Sequence, residues 1–176
     1  TKKINSKIDN FKFHDGIYSG NLKALNLLEK SGFILKEIKT RATVSHSGVF
    51  LNNLKLSSER SIIESENFDM LSTGLEDFKS FVDSIKFDAK IDKSNIDLSE
   101  AALFAYALDG MKDTIELSTS IQKEVKQLKL RDFDLRILDK THLKGTINIP
   151  DYRNPKTSFF QERIDYAYLD IDELNS

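Results

Sequence analysis

The chain has no cysteine and no tryptophan, and only two prolines and seven glycines among 176 residues. Without cysteine there is no thiol nucleophile, no disulfide and no cysteine-ligated zinc. That absence does not fix a compartment. A charge of one sign is also lacking. Lys and Arg number 26, Asp and Glu 28, and the net charge is −2. Basic residues are interleaved with acidic ones throughout, so the clustered basic footprint that nucleic acid requires is missing. No apolar run reaches the roughly 18 residues that a membrane-crossing helix needs. The amino terminus carries no signal-peptide pattern. A chain that begins at Thr1 without Met reads as a mature fragment or a piece of something longer, so that absence carries no information.

Chemistry is sparse as well. The only histidines are His14, His46 and His142, and none has a partner at metal-ligand spacing on a helix. His46 lies between Ser45 and Ser47, but neighbours on a strand point to opposite faces and cannot form a triad. Carboxylate pairs such as Glu64/Glu66, Asp132/Asp134 and Asp170/Asp172 sit at strand spacing on what reads as the solvent side. A catalytic pair needs burial to separate its two pKa values. The sequence therefore points away from an enzyme and implies no metal and no cofactor.

What is present is alternation. Hydrophobic residues make up 39% of the chain, and few breakers with many Ile, Leu, Phe, Thr and Val suit strands. Phe11 and Phe13 alternate up to His14-Asp15-Gly16, a favoured hairpin turn, and Ile17–Leu28 follows as a strand. Ile34, Ile38, Thr40, Ala42 and Val44 share one parity in a long strand ending at Ser47-Gly48. Its hairpin partner is Val49–Leu56, across a three- or four-residue turn, with Asn52-Asn53 marking a bulge. Another strand covers Ile62–Met70. The period then changes: Leu75, Phe78, Val82 and Ile85 have helical spacing, and Thr73 with Glu76 forms a capping box. This predicts an amphipathic helix over 73–85. Phe87, Ala89 and Ile91 resume a strand.

A second helix is expected over 99–109. Ser99 is placed to cap it, and Glu100 sits at its positive end. Leu103, Phe104, Ala107, Leu108 and Met111 line one side, and Gly110 ends it in a left-handed conformation. Ile115, Leu117, Thr119 and Ile121 then alternate strictly. Leu128 and Leu130 lie on one parity and Phe133, Leu135 and Ile137 on the other, so a turn or bulge at Arg131-Asp132 must reconcile them. Leu143, Gly145, Ile147 and Ile149 alternate up to Pro150. Residues 152–161 read as loop, and Ile164–Leu174 closes the chain. The pattern of strands, helix, strands, helix is a weak twofold echo. The fold class is mostly β: a curled antiparallel sheet of about ten to twelve strands, joined by hairpins, with two short helices.

Asp97-Leu98-Ser99 with Phe104-Ala105, Ala107-Leu108 and Gly110 resembles the helical plug of AsmA/TamB-like envelope proteins, which usually have Pro where this chain has Tyr106. Thr114–Ser118, Leu128-Lys129-Leu130, Phe133-Asp134-Leu135, Leu143-Lys144-Gly145 and Ile149-Pro150-Asp151 are similar to the strands that follow the plug. Ile34–Leu56 resembles the upstream hairpin. The resemblance implies that residues 1–176 are one fragment of a longer, repetitive protein. Its parent would be anchored in the inner membrane and cross the periplasm of a double-membraned bacterium. It further implies an open β-groove, phospholipid as partner, links to outer-membrane assembly proteins, and no catalytic residues.

In such a trough, about ten strands spaced about 4.8 Å apart span about 50 Å, and each acyl CH₂ taken from water contributes about 0.8 kcal/mol. The candidate lining is Ile34, Ile38, Val44, Ile115, Leu117, Ile121, Phe133, Leu135, Ile137, Leu143, Ile147 and Ile149. A competing reading is a scaffold that binds outer-membrane protein strands through exposed sheet edges. Ordinary packing of the same residues in a closed core is the third.

Overall fold

The computed structural model describes residues 4–28, 32–103, 108–124, 127–138, 140–149 and 161–170, with backbone alone for 4, 5, 24–28, 82, 123, 124 and 149. Eleven strands form one antiparallel sheet. They are β1 (Ile4–His14), β2 (Ile17–Leu28), β3 (Ile34–Leu35), β4 (Glu37–Ser45), β5 (Gly48–Ser57) and β6 (Ile62–Leu71), then β7 (Lys86–Asp97), β8 (Thr114–Glu124), β9 (Leu128–Ile137), β10 (Thr141–Ile149) and β11 (Gln161–Tyr168). Each strand pairs with its neighbours in sequence, in the order β1-β2-β4-β5-β6-β7-β8-β9-β10-β11, and β3 pairs with β2 beside this path. The path does not close on itself, which agrees with the curled, mostly β architecture expected.

Short connections make this topology. Asp15 and Gly16 both have positive φ (48° and 76°), the conformation a two-residue hairpin demands, and His14 pairs directly with Ile17. The β4–β5 turn is tighter than expected. Ser45 pairs with Gly48, which leaves two residues between them rather than three or four. The long strand expected from Ile34 to Val44 is broken at Lys36, whose amide donates to the Ser57 carbonyl (2.9 Å). Ile34 therefore sits on β3, apart from Ile38 and Val44, and its neighbour Leu35 is the buried side chain there.

Both helices are shorter than their periodicity suggests. Residues 73–85 form a 3₁₀ segment (Leu75–Ser80) and a single α turn, α1 (Phe81–Ser84). The Thr73/Glu76 capping box does not form. Instead the Thr73 amide and hydroxyl both donate to the Asp77 carboxylate (2.7 and 2.9 Å), a local bond that competes with a regular first turn. The second helix, α2, is only Leu98–Ala101. Its cap is Asp97, which accepts from the Glu100 amide at 3.1 Å, while Ser99 donates its hydroxyl to the same carboxylate.

One feature runs across almost the whole sheet. Asn10, Asn53 and Asp132 lie in the left-handed region, with φ of 55°, 51° and 47°. Each opens a bulge in which two residues oppose one. Asn10 and Phe11 oppose Gly20, Asn53 and Leu54 oppose Thr40, and Asp132 and Phe133 oppose Thr119. Further register shifts fall near the middle of the β6–β7, β7–β8, β9–β10 and β10–β11 pairings. Bulges bend a strand and increase its twist, so their alignment puts a crease across the sheet.

Candidate functional site

The register assigns each strand's faces. Directly opposed residues share a side, and one such row reads Gly20, Ala42, Leu51, Phe68, Ala89, Ile121, Leu130 and Ile147 across eight strands. On the far side of the crease, Ser94, Leu117, Leu135, Leu143 and Ala167 form a second row, and Ile96, Ile115 and Ile137 lie beside it. The opposite face carries charge. Glu116 pairs with Lys93 (2.9 Å), and Asp134 is held by Lys144 (2.6 Å) and His142 (2.7 Å). The Lys144 ammonium, then His142, draw the Asp134 carboxyl below its ordinary range.

Burial shows which way the sheet bends. Among the described residues, no second sheet covers the apolar face. Yet at the crease Leu54 is 6% exposed, Phe133 7% and Ile91 6%, and Thr40, Ser65 and Thr119 are equally enclosed. A single layer encloses such residues only if the two halves of its strands lean toward each other on that side. The apolar face is therefore the inside of the bend. Away from the crease the enclosure relaxes, and Ile115, Leu117, Ile121, Leu135, Ile137, Leu143 and Ile147 are half-buried. At the β1–β2 end a hollow of about 140 Å³ is lined by Ile8, Phe11, Tyr18, Leu22, Ala42 and Val44.

Of the expected lining, Ile38, Val44, Ile115, Leu117, Ile121, Phe133, Leu135, Ile137, Leu143 and Ile147 lie on this one face. Ile34 stands apart on β3, and the side chain of Ile149 lies outside the described residues. Leu51, Leu54, Phe68, Ala89, Ile91 and Leu130 belong to the same wall and were not expected in it. The parity reversals at Asn53 and at Arg131-Asp132 were the available signal, because each bulge carries the alternation of its strand across to one face.

Each rim of the trough carries a short helix, at opposite ends of β7. At one, Phe81 of α1 meets Phe87 edge-on (6.0 Å between centroids), and Phe87 meets Phe68 (5.3 Å). At the other, α2 is tied down through Glu100. Its carboxylate accepts from the Ser58 hydroxyl, the Ser61 hydroxyl (2.6 Å) and the Arg60 amide (3.2 Å).

Part of the expected plug lies outside the described residues. Ser99 is not the cap, Leu103 is exposed, and Phe104 and Ala107 lie outside the described residues. The Met111 amide donates to the Leu108 carbonyl (3.0 Å), and Gly110 has the positive φ (87°) foreseen for it. Hydrogen bonds from Ser99 first and then from the Glu100 amide, together with the charge of Arg60, lower the Asp97 carboxyl against the cost of burial. No group of three or more His, Asp or Glu side chains among the described residues is arranged to hold a metal.

No family model, no curated protein and no solved structure matches this chain.

Proposed function

We propose that this curled sheet shelters lipid acyl chains on its apolar inner face. It would serve as a segment of a longer envelope protein whose groove carries phospholipid between the inner and outer membranes and so supports outer-membrane biogenesis. One observation carries the reading: the inside of the bend is apolar across eight strands, and the described residues leave much of it uncovered. Uncovered apolar surface of that extent marks a place for a partner, and an eight-strand row without a charge suits an acyl chain that must slide. The periplasmic setting, the membrane anchor elsewhere in the parent and the assembly partners belong to this proposal through the resemblance to AsmA/TamB-like proteins. No reaction and no cofactor is part of it.

The test is lipid content. Protein purified from a membrane-containing host is expected to carry phospholipid, and Ile137→Asp is expected to abolish loading while circular dichroism stays unchanged. Folded wild-type protein that carries no lipid and takes none up from vesicles would end the proposal for this segment.

A second reading has its own support. Among the described residues β1 and β11 each pair on one side only, and β11 is exposed along its whole length. Such edges can accept another strand. A scaffold of this kind is expected to bind β-strand peptides of outer-membrane proteins with an affinity that Ile137→Asp does not change.

A further inference from the structure

Thr40 and Thr119 are polar residues on the most enclosed line of the wall, which they share with Ser65. Each is the single residue opposite a two-residue bulge. The Thr40 hydroxyl donates to the Asn52 carbonyl at 3.0 Å, and the Thr119 hydroxyl to the Arg131 carbonyl at 3.0 Å, in both cases twelve residues further on. Each also lies 3.4 Å from the carbonyl of its own following residue, Arg41 or Ser120. The accepting residue immediately precedes the left-handed one, Asn53 or Asp132. The same offset separates Thr40 from Thr119, Asn53 from Asp132, Leu54 from Phe133 and Leu56 from Leu135, so one device occurs twice.

The physics of a bulge explains the hydroxyl. Two residues facing one leave a carbonyl outside the ladder, and a buried carbonyl without a donor is destabilising. A left-handed residue other than glycine adds strain. At both positions the threonine hydroxyl donates to the carbonyl just before the bulge, from the enclosed side of the sheet. The third bulge is the natural contrast. Gly20 stands opposite Asn10 and Phe11 and has no hydroxyl to give, and there Ile8 and Phe11 lie open at 54% and 62% exposure.

We propose that Thr40 and Thr119 pin the crease and so set the width of the apolar trough, which makes them positioning residues for an acyl chain held in it. The acyl-chain part rests on the function proposed above; the pinning does not. Neither hydroxyl contacts the ligand in this scheme, and the wall remains apolar because both are turned to the backbone.

The experiment compares Thr40→Val, Thr119→Val and the double variant with Thr40→Ser and Thr119→Ser in the full chain. It uses hydrogen exchange around Asn53 and Asp132 and the affinity for a fluorescent fatty acid. Loss of one pin is expected to speed exchange about tenfold at its own bulge only, and the double variant to bind the fatty acid about tenfold more weakly, as the loss of an ordinary hydrogen bond implies. The serine variants are expected to match wild type in both. Valine variants with wild-type exchange overturn the pinning, and valine variants with faster exchange but unchanged affinity overturn the positioning role. If wild type binds no fatty acid, the lipid reading fails while exchange still decides the pins. Should a valine variant not fold, Thr40→Ala and Thr119→Ala take its place, and wild-type exchange in those two also overturns the pinning.

Discussion

The β4–β5 and β8–β9 hairpins are built on one plan with different parts. Both place a threonine opposite a left-handed residue, followed by a large apolar side chain at the bottom of the bend. In the first these are Asn53 and Leu54, in the second Asp132 and Phe133. Their ends differ more. The first hairpin closes through His46-Ser47, the second opens on Leu128, and only the first is flanked by the loop that binds Glu100. What the two share is confined to the crease. The bend is thus the constrained element, while turns and outward side chains vary around it.

That equivalence can be strained from several sides. Truncating its bottom has the largest expected effect. Phe133→Ala is expected to destabilise by about 3–5 kcal/mol and Leu54→Ala by about 2–5 kcal/mol, measured by urea unfolding, with the phenylalanine costing more because it fills more space. A negligible loss at either site would show that the two hairpins do not carry equal parts of the fold.

Crowding the crease comes next. A Cβ on Gly145 would meet the Arg163 carbonyl oxygen at 2.1 Å, whereas one on Gly20 meets the γ2 methyl of Ile8 at 2.8 Å. Gly145→Ala is therefore expected to cost about 1–3 kcal/mol and to unprotect β11 in hydrogen exchange. Gly20→Ala is expected to cost less, because an exposed isoleucine side chain can move and a paired backbone cannot.

Third is the cap of α2. Asp97→Ala is expected to cost about 1 kcal/mol. Asp97 and Asp134 have lowered pKa values in the folded chain. Their stabilisation is complete above the ordinary carboxylate pKa and is lost as pH falls through the lowered one. An acid titration of stability should therefore be flatter in Asp97→Ala and in Asp134→Asn than in wild type.

The smallest effect has the opposite sign. Asp69 faces Asp88 across the β6–β7 pairing, and burial, then that neighbour, raises its pKa. The folded chain holds this proton more tightly, so the site loses stability as pH rises through the raised value. Asp69→Asn is expected to stabilise the protein at neutral pH by a few tenths of a kcal/mol, about what relief of a like-charge pair contributes.

Much of this fold was legible because strand parity is a local property. Asp15-Gly16 marked the first turn, and the parity switches at Asn52-Asn53 and Arg131-Asp132 marked two of the bulges. Gly110 has the conformation expected of it. The first helix was misjudged for a physical reason. Leu75, Phe78, Val82 and Ile85 have helical spacing, but Asp77 binds Thr73 and Ile85 is already extended, so only fragments of a helix form. The reach of Glu100 to Ser58 and Ser61 lay beyond sequence reading, because it joins residues brought together only by two intervening strands. The candidate wall was half legible. Alternation located its members within each strand, but the direction of the bend came only from their burial.

Because each strand on the sheet's path lies beside its own chain neighbours, the molecule is in effect a linear stack. Stability in such a stack is a sum of nearest-neighbour terms, and contacts between residues close in sequence form fast. Damage at one end should then melt inward strand by strand, so that losing β11 leaves β4–β7 standing, in the way a zip parts from one end.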